Sequence, residues 1–390
     1  MVLISPVVIP ALVLGGLFYD FFNSKLPPGI DQPLKLRVFH SLLITTMISI
    51  LEKLGICSDL SLLRILLDGI PPWRDSKLLI KDLKVDEVPL RIYQPKWPPT
   101  GKRRGILYFH GGAGTFGSIS KKSASFIFKM KSKTLHFYLQ TWQYFDCLNA
   151  TLYFMRNLEE YHVNPALIII GGDSCGANFA TVICQILLNK RDLPKVRAQV
   201  LLYPGLQGLD FHLPSYQQNA SVPMLFRKLV IYFCFRYLNK EPSVLEDVVQ
   251  NCHVPESMKQ KYKKWISADI IPDEFKIRGY VPQKSTSYKP EVHEAIKEIL
   301  TITFSPLLAE DSIICQLPES YIVTCEFDVL RDDGLLYKKR LEDNGVQVTW
   351  YHSESGFHGI LAFFDASLTL SLANLYLAKN INTFDLCFAC

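Results

Sequence analysis

Charge is scarce in this sequence. Only 20% of its 390 residues are Asp, Glu, Lys or Arg, and 42 basic against 37 acidic side chains leave a net charge of +5. A dedicated nucleic-acid binder carries a stronger, clustered basic excess, so that class is excluded. Glycine (21) and proline (23) stay near average usage, which excludes collagen-like and low-complexity chains. Ten cysteines are too few for a disulfide scaffold at this length. No G-K-[ST] tripeptide occurs, so there is no Walker A phosphate loop, and no internal repeat is found. Apolar side chains are plentiful at 48%, and their spread along the chain excludes intrinsic disorder. The length is ample to bury a sizeable core.

The first segment bears on location. Val2 to Tyr19 runs for 18 residues without a charge, the lower limit for spanning a bilayer. It lacks the basic start and the small-residue cleavage site of a secretory signal. Residues 1–24 therefore read as an uncleaved signal anchor, with an apolar helix packed on the protein body as the alternative. Pro6 and Pro10 are tolerated in membrane spans. Lys25, Lys35 and Arg37 follow the segment, which by the positive-inside rule points the bulk of the chain to the cytoplasm. Two glycosylation sequons, at Asn149 and Asn219, argue for the opposite side. Asn149 falls in an expected helix. Asn219 lies in the polar stretch SYQQNAS and is the better acceptor.

The remainder alternates between strands and helices. Residues 25–77 read as linker and cap helices, apolar with helical spacing over 41–67 until Pro71-Pro72. Leu78 to Tyr93 reads as two strands with a polar turn. Buried strands are expected at Gly105–Phe109, Ala166–Ile170, Val196–Tyr203, Ser320–Cys325 and Val346–Tyr351. Helices are expected from about Cys175 to Leu188, from Asp333 to Glu342, and after Gly359. Residues 205–292 interrupt the alternation as a helical cap. Apolar strands alternating with helices imply a mostly parallel sheet covered on both faces, here over residues 78–390.

Three strand ends carry the chemistry. Gly172-Asp173-Ser174-Cys175-Gly176 matches G-x-S-x-G between a strand and a helix, the context of a nucleophile elbow. There the flanking glycines permit a tight turn and the helix N-terminus favours developing negative charge. His110-Gly111-Gly112-Ala113-Gly114 follows another strand, and its backbone N–H groups suit an oxyanion hole, each donor contributing about 3–4 kcal/mol. Ala113 keeps its N–H but adds a Cβ. Cys175 is expected to contribute its backbone N–H rather than its thiol, and His110 to shape the loop. Asp328 and His358 each follow a strand, in the chain order nucleophile, acid, histidine. Asp332 and Asp333 are accounted for by capping of the next helix and its dipole. The remaining histidines have no motif around them.

Together HGGAGTFGS, GDSCGAN, CEFDVLRDDGLLY and SGFHG resemble the hormone-sensitive-lipase group of α/β-hydrolases, and most closely the arylacetamide deacetylase-like proteins. LLYPGLQGLDFHLPSYQQNAS and FSPLLAEDS extend the resemblance over nearly the whole chain. It implies an α/β-hydrolase fold with a helical cap behind an N-terminal transmembrane helix. It implies Ser174 as nucleophile, Asp328 as acid and His358 as base, with oxyanion donors at Gly111, Gly112, the Ala113 position and Cys175. It implies no cofactor or metal, a lipophilic acyl-ester substrate, and a single-pass type II protein of the endoplasmic reticulum with its catalytic domain in the lumen.

One interval departs from the family pattern. A strand followed by Y-R-x-x-P is expected between the oxyanion loop and the next helix, but Ile119 to Gln143 is shorter and holds no such motif. Thr134 to Leu139 is the only candidate strand. Loss of a strand beside the nucleophile strand would leave unpaired backbone groups. Two functions follow: a membrane-anchored serine hydrolase of lipophilic esters, amides or acylglycerols, or a catalytically impaired, membrane-anchored binding protein of the same fold.

Overall fold

The computed structural model describes residues 26–31, 33–40, 78–86, 88–96, 101–114, 134–139, 144–283 and 286–360. The expected anchor over 1–24, the apolar stretch 41–67 and the helix after Gly359 lie outside them. No helix among the described residues is long and apolar enough to cross a membrane.

Eight strands form one sheet in the order β1-β2-β4-β3-β5-β6-β7-β8. β1 (Leu78–Val85) and β2 (Val88–Pro95) form an antiparallel hairpin. β2 pairs antiparallel with β4 (Thr134–Leu139), and β4 pairs parallel with β3 (Arg103–Phe109). β5 (Val163–Asp173), β6 (Ala198–Leu202), β7 (Glu319–Phe327) and β8 (Val348–Phe357) continue parallel from β3. This is the α/β-hydrolase fold with a parallel central sheet.

Two expectations about the sheet change. Thr134–Leu139 does occupy a strand position, so the interval does not leave a gap: Arg104 to Phe109 pair with Thr134 to Leu139 residue for residue. The neighbour of the nucleophile strand is β3, not this strand. The excursion between β6 and β7 also runs on beyond residue 292, to the last short helix at Asp311–Ile314.

The pleat sorts the apolar residues into two cores, because successive strand side chains point to opposite faces. Leu107, Phe109, Ile168 and Ile170 join one core. Ile106, Tyr108 and Ile169 join the other. The first core is covered by α2 (Tyr144–Arg156), α3 (Cys175–Leu187) and cap residues such as Phe211, Ile231 and Phe235. The second takes Ile30 and, from α1 (Pro33–His40), Leu36, packed with Phe327, Phe357 and Ile360. Coverage of both faces explains why the central strands read as near-continuous apolar runs.

Candidate active site

Ser174 sits at the sharp turn between β5 and α3 with φ 57° and ψ −123°, a conformation costly for a residue with a Cβ. Its N–H donates to the Leu202 carbonyl at 2.9 Å, which holds the turn against β6. The flanking glycines are needed for close approach. A Cβ on Gly176 would lie 2.0 Å from the Phe109 carbonyl oxygen, and one on Gly172 would lie 2.4 Å from the Gly176 carbonyl carbon.

Three residues distant in sequence converge at this turn. His358 Nε2 lies 2.9 Å from Ser174 Oγ, and its Nδ1 lies 2.8 Å from Asp328 Oδ2. Asp328 is fully buried and His358 is nearly so. Since a carboxylate only accepts, Nδ1 carries the proton toward Asp328 and Nε2 faces the Ser174 hydroxyl as acceptor. The Tyr203 ring packs edge-on against the imidazole, with centroids 5.0 Å apart.

The glycine loop approaches the same turn, with two differences from expectation. Gly111 was expected as an oxyanion donor, but its N–H donates to Asp173 Oδ1 at 3.0 Å and is used in holding the loop. Tyr108 Oη donates to the same carboxylate oxygen at 2.8 Å. Cys175 was expected to act through its N–H alone, yet its sulfur also accepts the Gly114 N–H at 3.1 Å. Gly112, Ala113 and Gly114 have φ values of 134°, 54° and 63°. Ala113 thus occupies the left-handed region that favours glycine. His110 Nδ1 bonds the Gly111 carbonyl at 2.7 Å, within the loop that it was expected to shape.

The acid side is held by a buried ionic network that sequence reasoning missed. Fully buried Arg331 pairs with Glu326 at 3.0 Å and with Asp332 at 2.9 Å. Its guanidinium also donates to the Gln218 side chain and the Phe275 carbonyl. Arg278 adds a second cation on Glu326 at 2.7 Å, and His352 lies 3.3 Å from it. Burial pushes the Glu326 carboxyl up, but His352, Arg331 and Arg278 outweigh it and hold it at about 2.

Asn219 is wholly buried, and its Nδ2 donates to the carbonyls of Glu326 at 3.1 Å and Asp328 at 2.9 Å. A glycan would occupy that nitrogen, so a glycosylated Asn219 could not make both of these hydrogen bonds. Asn149 is exposed on α2, the helical placement expected of it.

Asp332 and Asp333 do more than complement a helix dipole. They lie in the first turn of the helix Arg331–Asp343, both fully buried, and neither caps it. Asp332 accepts the Ser215 N–H at 2.6 Å, and Asp333 accepts the Leu206 N–H at 2.8 Å. Gln207 Nε2 and Tyr216 Oη also donate to Asp333. Burial pushes the Asp333 carboxyl up to about 7. Both carboxylates therefore tie the base of the cap to the strand end that bears Asp328. Asn178 does the same from α3, donating to the carbonyls of Gly205 and Phe304 at 2.8 Å each.

An apolar cavity of about 110 Å³ opens beside Ser174, Cys175 and Ala113. Phe179, Leu225, Val230, Phe233, Tyr237 and Phe304 form much of its wall. Of its polar lining residues other than Ser174, Asn178, Gln207 and Tyr216 direct hydrogen bonds into the protein, and Thr303 pairs with Thr301. Residues between 205 and 237 cover this cavity from the cap side, with Thr303 and Phe304 adding to its wall.

A serine at a strained strand–helix turn, a histidine and an acid at later strand ends, and a capped parallel sheet define an α/β-hydrolase. A family model described as alpha/beta hydrolase fold matches residues 141–266 and 278–362. Arylacetamide deacetylase-like 4 from Homo sapiens is 38% identical over 94% of this chain and 93% of its own length. Arylacetamide deacetylase from Bos taurus is 34% identical over 94% and 96%. The chain belongs to the arylacetamide deacetylase family of α/β-hydrolases. A thermostable esterase from Pseudomonas putida shares the fold, with a TM-score of 0.62 at 20% identity over 91% of this chain and 96% of that one.

Proposed function

We propose that this protein is a serine hydrolase that cleaves carboxylic esters, and related amides or acylglycerols, of lipophilic substrates. The observation that carries the reading is the unbroken hydrogen-bonded line from Ser174 Oγ through His358 to buried Asp328. Ser174 attacks the substrate carbonyl while His358 Nε2 takes its proton. Asp328 orients the imidazole and stabilises its cation. The N–H groups of Gly112, Ala113 and Cys175 receive the oxyanion. His358 then delivers the proton to the leaving group, and water releases the acyl group from Ser174. The apolar cavity favours a hydrocarbon or aromatic acyl group, since its polar walls are already bonded. The names of the deacetylase relatives support the same class of bond.

The same reading anchors the protein through Val2–Tyr19 in the endoplasmic reticulum membrane as a single-pass type II protein, with the hydrolase in the lumen. The uncharged run and the family resemblance support it. The alternative, an impaired binding protein, loses part of its motive, because β4 supplies a strand between β2 and β3; the loops on either side of it lie outside the described residues. Fluorophosphonate labelling in microsomes tests the reading. Labelling of the wild type that vanishes in Ser174→Ala is expected. Folded wild type that takes no label would overturn it.

A further inference from the structure

The two residues flanking the nucleophile grip the glycine loop at two points. Asp173 holds Gly111 from one side, and the Cys175 sulfur holds Gly114 from the other. Between these points Ala113 is held at φ 54°. A residue with a Cβ prefers to leave that region, by roughly 1–2 kcal/mol. The bond to Cys175 acts one residue from the strained position. Ala113, Ser174 and Cys175 also share the wall of the apolar cavity.

We propose that Cys175 is a positioning residue, whose thiol fixes Gly114 and thereby keeps strained Ala113 beside the Ser174 turn in the geometry that receives the oxyanion. Ala113 and Cys175 then form one coupled unit: the Cβ in the loop makes the sulfur contact necessary. The proposal rests on the serine-hydrolase reading. It adds to that reading a side-chain role for Cys175 distinct from the backbone N–H of the same residue.

The coupling predicts a specific pattern of rescue. Full-length wild type, Cys175→Ala, Cys175→Ser, Ala113→Gly and the double variant Cys175→Ala/Ala113→Gly are compared in microsomes, using a p-nitrophenyl ester and a trifluoromethyl ketone. The ketone adds Ser174 to form a tetrahedral oxyanion, so its affinity reports on the loop. Cys175→Ala lowers kcat about tenfold with KM changed less than about twofold, and weakens the ketone in parallel. Cys175→Ser, which keeps an acceptor, loses about threefold. Ala113→Gly alone raises kcat up to about threefold, and in the double variant it restores most of the rate. A loss of packing alone would lower the unfolding temperature without rescue by glycine. Wild-type kcat and ketone affinity in Cys175→Ala, or an undiminished loss in the double variant, overturns the proposal. An inactive, unlabelled wild type overturns the hydrolase reading itself, and this proposal with it.

Discussion

The two sides of the Ser174–His358–Asp328 line are held in opposite ways. On the nucleophile side the fit is steric and local. Gly172, Gly176 and the Phe109 carbonyl meet at distances that admit no side chain, and two hydrogen bonds fix the glycine loop. On the acid side the fit is ionic and long-range. Buried Arg331, Asp332 and Asn219 and half-buried Glu326 and Arg278 share a network joining the end of β7 to cap residues 215–219 and 275–278. A steric arrangement fails when anything is added. An ionic one fails when one member is removed, because the partners stay buried and uncompensated.

The sharpest break of the steric side is Gly176→Ala. Its Cβ would lie 2.0 Å from the Phe109 carbonyl oxygen, a backbone atom that has no rotamer to yield. A destabilisation of about 4–5 kcal/mol or more is expected, together with loss of fluorophosphonate labelling. Thermal unfolding of the purified variant checks it. Unfolding and labelling like the wild type's would show that the turn can open and that close packing does not hold it.

On the ionic side the comparable change is a deletion. Arg331→Met keeps the bulk and removes the charge, leaving Glu326 with Arg278 and His352 and leaving Asp332 buried without its cation. A loss of about 3–5 kcal/mol is expected, with a fall in kcat because Asp328 lies three residues away. Denaturant unfolding reads the first and ester turnover the second. A stable variant would mean that the network is replaceable by packing, as buried ion pairs sometimes are.

The same contrast explains which parts of the site were legible in the sequence. The Ser174 turn was legible because its sequence pattern lies within five residues, between an apolar strand and an apolar helix, although Leu202 and Phe109 also hold it. Asp328 and His358 were legible from chain order and their placement after strands. The structural role of the Asn219 amide was not legible, because its partners at Glu326 and Asp328 lie more than a hundred positions away. Asp332 and Asp333 were read as dipole partners for the same reason, since their donors come from Leu206 to Tyr216. β4 was read only as a candidate strand because its flanking loop lacks the expected motif, although its pairing with β2 and β3 needs only an extended segment in register. Gly111 was assigned to the oxyanion because a pattern of glycines does not reveal which N–H Asp173 has taken.

Acidity gives a further, smaller way to separate these charged groups. Glu326 is held at about 2, below its ordinary 4.5, so its contribution to stability is complete above pH 4.5 and is lost as pH falls toward 2. Asp333 has the opposite sign. Its folded value of about 7 lies above 3.8, so stability is complete below that ordinary value and is lost as pH rises through 7. Glu326→Gln is expected to flatten the acid limb of a stability–pH curve, and Asp333→Asn the limb between pH 4 and 7. Unchanged limbs in both variants would remove the assigned roles.

The smallest expected effect falls on the sequon. Ser221 is exposed, and Ser221→Ala destroys the glycosylation signal while leaving the Asn219 amide in place. If Asn219 Nδ2 bonds the Glu326 and Asp328 carbonyls, no glycan is there to lose, and neither electrophoretic mobility nor turnover changes. Asn219→Asp is the necessary contrast. It removes the same sequon and keeps the oxygen that accepts from Arg278 at 3.1 Å, but sets its second oxygen against two carbonyl oxygens, and that unpaired acceptor costs about 1–3 kcal/mol. A fall in kcat is expected, because the displaced carbonyl belongs to Asp328 itself. A mobility shift in Ser221→Ala would place a sugar on Asn219, and the acid loop could not then be held as described. An unchanged Ser221→Ala beside an impaired Asn219→Asp would instead locate the importance of this asparagine in its amide, as a neutral member of a network otherwise built from charges.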